Sequence, residues 1–242
     1  MRFVVAIITL LVGAAITSGL YWTFLNTPES TVWALAASAV LVILALLTAT
    51  VTVNIVIETW SHGPSRAGLR RAVGAVPSVI PALIIVSLLW WLTMAVERWV
   101  GMRSGQISAV FIARFGMADV SWLFNGIRYI AVWCRWVIAA LLAFSLMAGF
   151  LSVGWAVLRQ PAWLRRALNP RTIIVATVTF VALVVLPWMY LVPWRPSGLP
   201  ATSAELAFIT AKLSLSAVLF ALGAAIIIRE ASRVPSGFPS AS

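Results

Sequence analysis

Apolar side chains in this chain neither alternate nor recur every third or fourth position; they run on, almost unbroken by charge, through six long stretches. These are Phe3 to Leu25, Thr31 to Ile57, Pro77 to Val96, Trp136 to Leu158, Thr172 to Trp194 and Ser203 to Ile228. A bilayer core about 30 Å thick is crossed by about 20 residues at about 1.5 Å each, and a helix satisfies its own backbone where no water is present. A membrane β-barrel would instead show short segments alternating in polarity. The pattern therefore predicts an all-α integral membrane protein, a six-transmembrane-helix bundle forming a single domain over residues 1–233. A Ser- and Pro-rich segment at 234–242 reads as a short disordered tail. Met1-Arg2 before an apolar run also resembles the start of a secretory signal. That run is longer than an h-region of about 7–15 residues and lacks a small-x-small cleavage site, so it reads as a retained first span.

Composition removes the soluble alternatives. Hydrophobic residues make up 62% of the chain, charged residues 10%, and mean hydropathy is +1.05, too little polar surface to cover a water-soluble domain. The few charges orient the bundle. The first connection, Asn26 to Ser30, has no basic residue, whereas the second carries Arg66, Arg70 and Arg71. The fourth carries Arg159, Arg165, Arg166 and Arg171, and the fifth only Arg195. With Arg2, Arg229 and Arg233, ten arginines gather on one side, which predicts that both the N and C termini are cytoplasmic. Sixteen arginines against one lysine suggest a GC-rich bacterial genome. The expected location is a bacterial cytoplasmic (inner) membrane, crossed several times.

The third connection, Glu97 to Arg135, departs from this charge rule by placing five arginines on the outer side. Asp119 is a plausible helix N-cap, and Ser121, Asn125, Arg128 and Arg135 then recur on one helical face. This predicts an outer interfacial amphipathic helix between spans three and four, with Arg128 and Arg135 among lipid phosphates. Ser104-Gly105 and Gly116 offer breaks before it.

An internal repeat runs through the inner side. Trp60 is followed nine residues on by Leu69-Arg70-Arg71-Ala72, and Trp155 nine residues on by Leu164-Arg165-Arg166-Ala167, an offset of 95 throughout. The pattern is that of a parallel repeat of two-span units near 60–97 and 155–194. A leucine beside paired arginines at a helix start suits the head-group zone, which makes Arg70, Arg71, Arg165 and Arg166 candidate contacts to anionic head groups. The plain alternative is a generic topology anchor.

Within the spans the polar residues are few. Lys212 is the only lysine, with Glu205 seven residues before it and Ser216 four after, so the three line one face as a candidate intramembrane polar site. Snorkelling of Lys212 to the outer interface competes with that reading. Thr50, Asn54 and Glu58 form a second stripe, suited to hydrogen bonds with a neighbouring helix or to lining a cavity. Pro187 is expected to kink or interrupt the fifth span.

Catalysis finds no support. One histidine, His62, placed in a loop, and one cysteine, Cys134, cannot build a metal site. No Walker loop, GxGxxG or GxSxG elbow is present, and six scattered acidic residues offer no paired acidic motif. No cofactor is implied. A formal charge of +11, split between two membrane faces, fits anionic lipid rather than nucleic acid. The expected function is non-catalytic: an accessory, assembly or scaffolding subunit of a membrane complex, meeting membrane lipids and a membrane protein partner. The alternative is a small transporter or permease subunit with a site near Lys212 and Glu205.

Overall fold

The computed structural model describes residues 1–27, 31–117, 119–191, 193–194 and 201–233. The tail expected at 234–242 lies outside the described residues, as does Arg195. Every regular element among the described residues is helical. Helix α1 covers Arg2–Leu25 and α2 Val32–His62, the latter opened by the Thr31 hydroxyl, which accepts from the Ala34 amide. A short α3, Arg66–Gly74, is capped by Ser65 in the same way. It leads through a 3-10 turn, Val76–Ser78, into α4, Val79–Met102. Then come α5, Ser104–Phe115, α6, Ser121–Trp133, and α7, Ala139–Val153. A 3-10 stretch, Gly154–Arg159, precedes α8, Ala162–Ala167; α9, Pro170–Phe180, and α10, Ala201–Ser232, complete the chain. Among the described residues six helical stretches are long and apolar enough to cross a membrane.

Boundaries shift where a helix outlasts its apolar run. Helix α2 continues five residues beyond Ile57, so His62 stands in its last turn rather than in a loop. Gly63, at φ 87°, ends it with its amide bonded to the Thr59 carbonyl. Span three likewise reaches Met102, past Val96. The amphipathic segment from Ser121 is not a separate element. It runs through a π-helical stretch, Cys134–Ile138, straight into α7, giving one span-bearing stretch from Ser121 to Arg159. Gly116, at φ 64°, does end α5, whereas Ser104 and Gly105 begin that helix. Pro187 is accommodated by two π-helical stretches, Val181–Val185 and Pro187–Leu191, whose wider turns absorb the missing amide.

Helix α7 is the centre of the bundle. More than half of the apolar window of its span is buried, against a third or less in each of the other five. It packs on α2, α4, α8 and α10. Its sequence explains this, because Ala139, Ala143, Ser145, Ala148 and Gly149 let neighbouring helices approach while Leu141, Leu146 and Phe150 fill the gaps. The α7 hydroxyl of Ser145 donates to the Ala231 carbonyl of α10 at 3.2 Å, one of the few polar ties across the core. On α1 the opposite holds: Val4, Ile8, Val12 and Ile16 share one face and are all about half exposed or more, a surface suited to acyl chains.

The close approach of α1 to α2 depends on Gly13. A Cβ there would lie 2.8 Å from Thr52 Cβ and nearer still to its Oγ1 and Cγ2. Gly13→Ala is therefore expected to cost about 1–3 kcal/mol by overpacking, read as a lower thermal unfolding midpoint in detergent, with partial recovery when Thr52→Ala is added. The start of α6 makes a pH-dependent prediction. The Asp119 carboxylate accepts from the Ser121 amide at 2.8 Å and its hydroxyl at 3.1 Å, and those bonds hold its pKa below the ordinary value. A lowered native pKa means the contribution is present above the unfolded-state value and lost as pH falls through the native one. Amide exchange in the first turn of α6 is expected to quicken on acidification, and Asp119→Ala to show that faster exchange already at neutral pH.

Candidate functional site

Arginines in an apolar bundle must find partners, and the described ones divide by how they do so. Arg71, on α3, forks onto the α2 carboxylate of Glu58: Nε donates to Oε1 at 3.1 Å and Nη2 to Oε2 at 2.9 Å. That pairing raises the Arg71 pKa above its already high value. His62 Nδ1 lies 3.1 Å from the same Glu58 Oε2. One turn earlier on α2, Asn54 donates to the Ala72 carbonyl at 3.1 Å. Thr50, Asn54 and Glu58 are all buried, so the lower part of the stripe fastens α3 beneath α2.

At the other end, Arg135 lies in the first π turn before α7, with only 10% of its side chain exposed. It pairs with Glu97 of α4, donates from Nε to Thr93 Oγ1 at 2.8 Å, and stands 5.3 Å from the Trp90 ring. Arg71 and Arg135, two of the six arginines expected at lipid head groups, are thus engaged by carboxylates, whereas Arg70, Arg128 and Arg165 are exposed. A guanidinium this deep needs its counter-charge more than a surface one does.

Arg166 of α8 has neither arrangement. It lines a cavity of about 630 Å³ at the end of the bundle where the first and last described residues meet. Three other arginines line the same cavity: Arg2 from the start of α1, Arg229 from the last turn of α10, and Arg233 just beyond it. Trp60, Ser61 and His62 from the end of α2, Ala148 and Ser152 from α7 and Ser232 from the end of α10 complete the wall. Arg2 donates to the Trp60 carbonyl at 3.2 Å, and Arg229 lies 5.3 Å from the Trp60 ring. Arg233 is paired with Glu230 at 2.7 Å. Among the described residues no carboxylate pairs with Arg2, Arg166 or Arg229. Two buried donors of the lining, Arg166 Nε and Trp60 Nε1, have no hydrogen-bond partner there either. Burial pulls the Arg166 guanidinium below its usual pKa, yet an arginine stays charged at any working pH. The cavity is therefore a concentration of fixed positive charge with unused donors, which is the chemistry of an anion site.

The intramembrane trio lies outside this cavity. Glu205 is exposed, Ser216 is buried with its hydroxyl unpartnered among the described residues, and Lys212 donates to the Trp194 carbonyl at 3.1 Å while lying 5.4 Å from the Phe208 ring. No group of three or more His, Cys, Asp or Glu that could hold a metal ion occurs among the described residues. Sequence reading counted Arg2 and Arg229 only as topology signals and Trp60 only as the start of the repeat. Their convergence joins residues from both ends of the chain and carries no local motif.

Fold and site together define the class: an all-helical protein with six helices able to cross a membrane and a basic cavity between helix ends. No protein-family model, no curated protein and no solved structure matches the chain.

The Glu97–Arg135 pair yields a stability prediction. Glu97→Leu or Arg135→Leu alone is expected to cost about 3 kcal/mol, towards the low end for a buried pair because 25% of the Glu97 side chain remains exposed. The double variant should lose less than the sum, measured as a double-mutant cycle of unfolding in detergent.

Proposed function

We propose that this chain is a non-catalytic membrane subunit, accessory or scaffolding in role, whose working site is the arginine-lined cavity and whose ligand there is an anionic head group. The observation that carries the reading is convergence: Arg2, Arg166 and Arg229 come from three separate helices to one cavity with no described carboxylate pairing them. Buried cationic pockets between helix ends on the cytoplasmic side are a recurrent way of holding anionic lipid. The excess of arginine at the same end supports an orientation with this cavity in the cytoplasmic leaflet. In this reading the segment from Ser104 to Trp133, exposed along most of its length, lies on the opposite leaflet and meets lipid or a partner subunit. The contact of Lys212 with the Trp194 carbonyl supports anchoring of the sixth span over a transport role.

Native mass spectrometry of the protein extracted gently from its own membranes tests this. The expected result is a retained anionic lipid, with occupancy reduced at least about tenfold by Arg2→Gln with Arg229→Gln, since each charge-assisted contact is worth about 1.5–3 kcal/mol. Wild-type protein that keeps only neutral or zwitterionic lipid would sink the reading.

A further inference from the structure

The two copies of the repeat fold alike and differ at one decisive place. Leu69-Arg70-Arg71-Ala72 lies in α3 and Leu164-Arg165-Arg166-Ala167 in α8. In both, the alanine is fully buried, at 0% exposure, and the leucine faces outward, 51% and 39% exposed. Each short helix packs back on the long helix before it, α3 on α2 and α8 on α7. In the first copy the second arginine, Arg71, receives both oxygens of Glu58. The offset of 95 that carries Arg71 onto Arg166 carries Glu58 onto Val153. The second copy has therefore kept the guanidinium and has no carboxylate for it.

Nothing within the described chain replaces that carboxylate. The acidic groups nearest the cavity wall are committed, Glu58 to Arg71 and His62, and Glu230 to Arg233. What remains in the lining is Arg2, Arg229, Arg166 and Trp60, the buried Nε of Arg166 and Nε1 of Trp60 having no partner within the described chain. A guanidinium takes two oxygens of one oxyanion, and two further arginines call for additional oxygens and more than one negative charge. A carboxylate offers two oxygens and one charge. A phosphomonoester offers three oxygens and about −1.5 to −2 charge at neutral pH.

Resting on the anion-holding reading above, we infer that the cavity is specific for a phosphomonoester group, which supplies to Arg166 the counter-charge that the Glu58 carboxylate supplies to Arg71. The group reaches the cavity either on a lipid or on a water-soluble phosphate. An internal carboxylate restored to the cavity competes with it. Ser152 lines the same cavity as Arg166 and is exposed, so Ser152→Glu supplies a carboxylate to it and Ser152→Gln is its uncharged control.

The experiment is thermal unfolding of the full chain in neutral detergent with three probes: inorganic phosphate, mixed micelles containing phosphatidic acid, and mixed micelles containing phosphatidylglycerol, a phosphodiester. The expected result is a saturable rise in the unfolding midpoint with phosphatidic acid that exceeds the response to phosphatidylglycerol. Apparent affinity should fall at least about tenfold in Arg166→Gln and in Ser152→Glu and be retained in Ser152→Gln. A matching response to inorganic phosphate identifies the soluble form as a ligand, and a response to phosphatidic acid alone assigns the lipid-borne form; both support the inference. Equal stabilisation by the phosphodiester, or a phosphatidic acid response that Ser152→Glu leaves intact, overturns it while leaving the broader anion-holding reading in place. Indifference to all three probes removes both. Should Arg166→Gln fail to fold, the Ser152 pair decides alone.

Discussion

A guanidinium cannot shed its charge to enter an apolar interior, and the polar architecture of this protein follows from that constraint. Lysine or histidine can be buried neutral; arginine must be solvated, paired or placed against an electron-rich face. The chain uses all three solutions. Arg70 and Arg165 remain exposed, Arg71 and Arg135 pair with Glu58 and Glu97, and Arg103 and Arg229 stand over the rings of Trp99 and Trp60. These pairings also set geometry. Glu58–Arg71 ties α3 to the end of α2, and Glu97–Arg135 ties the third span to the start of the fourth, so two of the chain's six acidic residues fix helix register at opposite ends.

Between those polar ends the bundle is held by shape. No hydrophobic driving force separates a lipid-facing leucine from a helix-facing one, so association depends on how closely backbones approach. Small residues on α7 permit that approach, as Gly13 does between α1 and α2. Packing at α7 has a consequence for the cavity. Gly149 is buried there, and a Cβ at that position would lie 2.5 Å from Val157 Cγ2 and 3.8 Å from Trp163 Cβ. The 3-10 stretch and α8 therefore fold back tightly on α7, and Ala148, Ser152 and Arg166 come to share one wall. The buried centre of the bundle thus positions the arginine cluster at its end.

Much of the fold was legible because long apolar runs admit one solution in a bilayer: each of the six runs falls on a helical stretch, although the fourth begins at Ser121 rather than Trp136. The errors lie where polar residues continue a helix: Ser61 and His62 extend α2, and Glu97 and Arg98 extend α4, because helix hydrogen bonds do not stop where hydrophobicity does. Arg135 was read as a head-group contact from its place in an amphipathic pattern. Its partners Trp90, Thr93 and Glu97 lie three, four and seven residues apart along one face of α4, a stripe that is visible in sequence but uninformative until α4 and α7 are known to be neighbours. The cavity was beyond reach for the same reason in stronger form, since Arg2 and Arg229 are 227 positions apart and meet only through the packing of α1 on α10.

The repeat was legible as an offset of 95, but its meaning lay in what it omits. Sequence comparison of the copies weights what is shared, here a tryptophan, a leucine, two arginines and two alanines. Physical comparison weights what each shared residue requires. Arg71 and Arg166 are the same residue at the same register on the same kind of helix, and the first is satisfied by Glu58 while the second, beside Val153, leaves a buried donor unused. Helix α2 runs straight through its Glu58 turn to His62, whereas α7 stops at Val153 and turns at Gly154, φ 59° and ψ −143°, a conformation accessible in practice to glycine alone. Loss of the carboxylate and the change of backbone direction occur together. The same break that removes the counter-ion lets α8 swing Arg166 beneath α7, where Arg2 and Arg229 can join it. One copy of the unit is thereby a closed structural latch, and the other keeps the arginine without its carboxylate.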